Sequence, residues 1–105
     1  MLENKQIIEN PESVKKDFEY EQRMTKIREE VAKRFVGYRK TLNYMAADAP
    51  LGVLCLPTVI YNALFAHGCR RVYDLFDCDF TKVKGLGVGR IRDLTACLDE
   101  FFAML

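Results

Sequence analysis

The sequence predicts an all-α fold, and three observations carry that expectation. No stretch alternates apolar and polar residues with the period of two that a half-buried strand needs. Between Pro11 and Met45 there is no further proline and the only glycine is Gly37, so little interrupts a helix over about 12–45. The end of the chain, Val88 to about Ala103, spaces its apolar residues by three and four, which is a helical period.

The long helix has a start signal. Pro11 suits a first helical position and Glu12 the first turn. Its apolar residues are Met24, Ile27, Val31, Phe35, Tyr38, Leu42 and Met45, a heptad-like stripe that Val14 and Phe18 extend less regularly. The outer face is rich in Lys, Arg and Glu. Such a stripe packs either on the chain's own C-terminal half or on a second copy of the helix. Met24, Ile27, Val31, Phe35, Tyr38 and Leu42 are therefore candidate homodimer contacts. Tyr20 and Tyr44 are surface or interface candidates.

Ala46–Gly52 reads as a break, punctuated by Pro50 and Gly52. A short helix is expected from near Pro57 to His67, closed by Gly68, since glycine takes the left-handed cap freely. A second covers about Val72–Phe76, and a one-turn helix Asp79–Val83. The last helix turns Ile91, Leu94, Cys97 or Leu98, Phe101 and Phe102 inward. Tyr61, Phe76 and Phe80 join the core by spacing. The organisation is a polar lead-in (1–11), a long amphipathic helix (12–48) and a compact helical unit (49–105).

The chain has 105 residues, 50% of them hydrophobic, and a formal charge of +1. That permits one modest core. Residues 1–48 carry ten Lys/Arg against nine Asp/Glu, and residues 49–105 carry six against six. The second half is polarised: Asp74, Asp77 and Asp79 precede Lys82, Lys84, Arg90 and Arg92, with no acid among the four cations. No apolar run approaches the ~20 residues of a bilayer span, and the N-terminus is charged from Glu3 onward, which argues for a cytoplasmic protein.

Cys55, Cys69, Cys78 and Cys97 form no C-x-x-C pair, so they are expected to be buried reduced thiols rather than zinc ligands. His67 lacks an acid partner, and Asp74, Asp77 and Asp79 read as solvated or capping groups. No catalytic constellation is visible. Neither an enzyme nor a cofactor is expected.

The segment with chemical character is Val83-Lys84-Gly85-Leu86-Gly87-Val88-Gly89-Arg90-Ile91-Arg92. It has the form h-x-G-h-G followed by a helix. Gly85 and Gly87 permit unusual backbone angles and close approach. Leu86 plugs the turn into the core. Gly87–Gly89 then leave the first amides of the last helix bare, where the helix dipole favours an anion. Lys82, Lys84, Arg90 and Arg92 flank it. The same pattern is also simply a tight interhelical turn.

From Leu54 to Leu98 the chain resembles the C-terminal domain of the bacterial RNA polymerase α subunit. The matching run is Leu54, Asn62-Ala63-Leu64, Gly68, Val72-Tyr73-Asp74-Leu75, Lys82-Val83-Lys84-Gly85-Leu86-Gly87 and Ile91-Arg92-Asp93-Leu94. The resemblance implies a compact helix-hairpin-helix, SAM-like bundle. It also implies minor-groove and phosphate contacts to DNA and docking to transcription factors. Carried over by position, Asn62 and Gly87 match the family's DNA determinants. Val59 stands where the family has a groove-entering arginine, Gly85 where it has an asparagine, and Gly89-Arg90 where it has Lys-Ser. The long helix has no counterpart in that domain.

Two functions are expected on these grounds. The first is a transcription-associated, DNA-binding module that holds the duplex backbone weakly and without much sequence preference through Asn62, Lys82, Lys84, Gly85, Gly87, Gly89, Arg90 and Arg92. The second is a protein-interaction or dimerisation module built on the same scaffold, with RNA polymerase or a regulator among its partners.

Overall fold

The computed structural model describes the backbone of residues 11–105 and the side chains of residues 18–105. The expected lead-in, apart from Pro11, and the side chain of Val14 lie outside the described residues. Four α-helices and three 3₁₀ turns follow in order: α1 Pro11–Thr41, α2 Tyr44–Asp48, η1 Leu51–Leu54, α3 Thr58–His67, η2 Val72–Asp77, η3 Phe80–Lys82 and α4 Val88–Ala103. Among the described residues there is no strand, and a single antiparallel bridge joins Pro50 to Arg71. No described helix is long and apolar enough to cross a membrane.

α1 stops sooner than the sequence stripe implies. Asn43 is extended, and its side chain accepts a hydrogen bond from the Ala46 N–H at 2.8 Å. A capping asparagine offers the backbone a new helix start in place of continuation. The break expected at Ala46–Gly52 therefore begins at Leu42–Asn43, and Ala46–Asp48 belongs to α2. Met45, expected on the inner stripe, is 84% exposed, and Tyr44 is 88% exposed.

The rest of the stripe turns into the chain's own core. Met24, Ile27, Phe35 and Tyr38 are buried, and Val31 and Leu42 are half-buried. Ile27, Phe35 and Tyr38 join one cluster with Leu51, Leu54, Ile60, Leu64, Val72, Leu75, Phe80, Leu94 and Leu98. Of the six candidate dimer contacts, Met24, Ile27, Phe35 and Tyr38 are thus buried within the chain's own fold, and Val31 and Leu42 keep part of their surface exposed. Aromatic edges set the docking: Phe35 lies 4.8 Å from Phe76 and 5.8 Å from Phe80, and Tyr38 stacks on Phe102 at 4.6 Å. In α4 the alternative inward residue resolves to Leu98, with Cys97 and Phe101 half-buried. Thr95 is also buried, and its hydroxyl donates to the Arg92 carbonyl at 2.9 Å.

Linkers are tied by local bonds. Gly68 closes α3 at φ 114°, its N–H donating to Leu64 and Phe65 carbonyls. Asp74 accepts the amides of Arg70 (2.8 Å) and Arg71 (3.0 Å), so it is a cap rather than a free acid. Arg70 stacks over Phe65 at 3.6 Å and donates to the Phe65 carbonyl, while Arg71 donates to the Asp48 carbonyl. Of the four cysteines only Cys69 is fully buried; Cys78 and Cys97 are half-buried, and Cys55 is exposed at a left-handed φ of 54°. Cys55 departs from the expected burial because η1 turns it outward immediately after the buried Leu54.

Truncating Phe35 to alanine removes the ring that joins α1 to η2 and η3, and is expected to cost about 3–5 kcal/mol in urea unfolding. Asn43→Ala is expected to cost about 1 kcal/mol by the same measurement. The Arg70 and Arg71 amides hold the Asp74 carboxyl below its usual value; burial opposes them, and the two guanidinium charges add smaller lowering effects. Its stabilisation is present in full above the unfolded value of about 3.9 and is lost as pH falls through the lower folded value. Asp74→Asn is therefore expected to be less stable than wild type near neutral pH, with the gap closing in acid titrations followed by circular dichroism.

Candidate nucleic-acid interface

The turn between η3 and α4 is built from behind. Asp79 caps η3: its Oδ1 accepts the Thr81 N–H at 3.0 Å and the Thr81 hydroxyl at 2.6 Å. Arg28 reaches across from α1, donating from Nε to the Thr81 hydroxyl oxygen at 2.8 Å and lying 3.4 Å from Asp79 Oδ2. Burial pushes the Asp79 carboxyl up, but Thr81, Arg28 and Lys82 together hold it below its ordinary value. Val83 and Leu86 are buried on either side of the turn, and the Leu86 N–H donates to the Val83 carbonyl at 3.1 Å.

Gly85 is the residue this geometry requires. Its φ of 95° is one that side-chain-bearing residues rarely adopt, while a Cβ placed there would meet Ala63 Cβ at an ordinary 3.5 Å. The constraint is torsional rather than spatial. Gly87 differs from the sequence expectation: it is extended (φ −88°, ψ −176°), and neither it nor Gly89 has a neighbour within 4 Å of an added Cβ. A Cβ fits at either position without a clash. What these two glycines provide is absence of cover over the start of α4.

That start has no side-chain cap. The Gly87 carbonyl accepts the Ile91 N–H at 2.9 Å, so the amides of Val88, Gly89 and Arg90 precede the first intrahelical bond. The helix dipole adds to their positive field.

The four cations do not share one face. Lys82, Lys84, Arg90 and Arg92 are all exposed. Arg90 folds back and donates to the Gly85 carbonyl at 3.0 Å, bracing the turn from its open side. Arg92 lies two residues on, about 200° round the helix. It lines a hollow between α1 and α4 with Glu30, Arg34 and Asp99 instead of flanking the turn. Lys82 stands close enough to Asp79 to lower its carboxyl. The ion pairs among the described residues, Arg28–Asp79, Arg34–Asp99 and Arg71–Asp48, include none of these four cations.

Asn62 sits on α3 next to Ala63, the residue facing Gly85, and is exposed. No hydrogen bond ties its side chain to the turn among the described residues. Val59, one helical turn earlier, is 50% exposed. The α3 edge and the turn are thus adjacent, and the position without an arginine is open to solvent.

Arg28, Thr81 and Ala63 were missed by sequence reasoning. Asp79-Phe80-Thr81 carries a legible local signal, an acid able to bond the backbone two residues on. Arg28 carries none, being 53 residues from its partner. Comparison with protein-family models, curated proteins and solved structures found no match to this chain.

Gly85→Ala is expected to lose about 1–2 kcal/mol of stability through backbone strain. Gly87→Ala is expected to stay within about 0.5 kcal/mol of wild type in the same thermal unfolding series.

Proposed function

We propose that the Val83–Gly87 turn is a helix-hairpin-helix element, and that this is a non-catalytic, cytoplasmic, transcription-associated module holding the duplex DNA backbone. The observation that carries the reading is the uncapped start of α4 beside the Gly85 turn, with Lys84 and Arg90 exposed and in no ion pair among the described residues. A phosphate accepts hydrogen bonds from such amides and a charge-assisted one from a guanidinium. Asn62 on the neighbouring edge of α3 extends the same surface.

The distribution of charge bounds the strength of binding. Arg92 faces the α1–α4 hollow, and Lys82 is shared with Asp79. Two or three phosphates are within this surface's means, so the logarithm of the binding constant falls with log salt at a slope of about −2 to −3. Val59 supplies no cation for the minor groove, which makes contact largely independent of sequence.

A second reading, as a protein-interaction module, is favoured by one observation away from the turn. Tyr44, Met45 and Tyr73 are exposed on α2 and η2 beside a shallow hollow lined by Ala47, Asp48, Arg71 and Asp74. RNA polymerase or a regulator is the kind of partner this reading invokes.

Fluorescence anisotropy with a short labelled duplex at low salt separates the two. Wild type is expected to bind, and Lys84→Glu to reduce both affinity and salt slope, the slope by about 1. Lys84 is the cleaner test, since changing Arg90 also removes the brace on Gly85. Absence of duplex binding by the wild type at low salt rejects the DNA reading.

A further inference from the structure

The inner stripe of α1 packs on the chain's own core, and the opposite face of the helix is bare. At about 100° per residue, that outer face runs through Glu19, Gln22, Lys26, Glu29, Lys33 and Val36, all exposed, in steps of three and four. At its N-terminal end the helix is uncovered on every side. Each residue from Phe18 to Arg23 is exposed, and the buried positions begin at Met24. The fold is correspondingly drawn out, 61 Å long against 25 and 19 Å across. A helix end without tertiary cover stands only on its own propensity, which is marginal in water.

Three features of the outer face have no use within the chain. Phe18 is 62% exposed near its start, and Val36 is 60% exposed near its end. Gly37 follows Val36 in mid-helix, and no described atom outside its own helix turn lies within 4 Å of a Cβ added there. Glycine inside a helix is less stable than alanine, and no crowding by this fold excludes alanine at that position. A bare glycine does let a second backbone come close. The charges are also ordered along the face. Glu19, Glu29 and Glu30 lie on the N-terminal side, whereas Lys33 and Lys40 follow in a stretch, Val31 to Ala47, that holds no acid.

We propose that two copies of the chain pair antiparallel through the outer faces of their α1 helices, centred between Ile27 and Arg28. The steps of three and four form a seam in which antiparallel positions interlock. In this register Lys26 of each copy faces Glu29 of the other, and Arg23 approaches Glu30 beside them, so each attraction occurs twice. Glu19 enters between Lys33 and Lys40 of the other copy. Phe18 lies against Val36 and Gly37, where that helix is backed by its own core. The bare end of each α1 is thereby supported by the second copy, and the two helical bodies point away from each other. A seam of charged and polar residues pairs weakly and loosens as salt screens it.

Analytical ultracentrifugation of the full chain at low salt is expected to show a monomer–dimer equilibrium that moves toward monomer as salt is raised. Lys26→Glu alone, or Glu29→Lys alone, is expected to weaken the dimer about tenfold while leaving the circular dichroism spectrum unchanged. An equimolar mixture of these two variants, or both changes in one chain, is expected to restore pairing, because opposite charges then face each other again. A wild type that stays monomeric from micromolar to millimolar concentration overturns the proposal. So does a dimer indifferent to either reversal, or a loss that mixing the variants does not rescue.

Discussion

Everything in this structure depends on α1 lying along the other elements through Phe35 and Tyr38. α3 has ten residues, and the 3₁₀ turns have three to six. Helices this short are marginal alone, because nucleation costs more than a few hydrogen bonds return. They persist by burying apolar side chains against something longer. Phe35 supplies that surface to Phe76 and Phe80, and Tyr38 supplies it to Phe102. The Tyr38 hydroxyl, carried inward by its ring, donates to Asp99, which Arg34 also holds. Burial first, and then Asp99, raise the tyrosine well above its ordinary value, so it remains a neutral donor. The contact is apolar at its centre and hydrogen-bonded at its edge, which suits a tyrosine.

The candidate interface inherits its shape from the same helix. Arg28, two turns before Phe35, holds Thr81 and Asp79 and so fixes η3, from which the turn departs. Leu86 and Val83 anchor the turn in the core, and Arg90 braces its outer carbonyl. The turn is rigid behind and bare in front. That arrangement presents backbone amides without a reorganisation cost, while near-neutral overall charge gives little long-range attraction. Under the proposed DNA-binding reading, the combination gives a short-range, salt-sensitive grip.

How much of this was legible depends on the range of each signal. Gly68 and Gly85 were legible because positive φ is a property of one residue and its own backbone. The apolar stripe of α1 was legible because its period is local. Its occupant was not, since periodicity identifies a face and never what covers it. Asn43 was overlooked although it is a good cap, because the stripe ran on through Met45 and a three-residue capping bond competes quietly with it. Gly87 was read as conformationally special by its company, yet its backbone is ordinary.

By itself the sequence determined the all-α character, the approximate extents of the helices and the place of the glycine turn. These follow from side-chain period, from proline and glycine, and from residues that bond their own neighbours. Only the tertiary structure decided that α1 folds onto its own chain and that Arg92 turns away from the cations it adjoins in sequence. It alone also brought Arg28 to Asp79. Those outcomes belong to pairs of residues whose distance is set by packing, and packing is a property of the whole core.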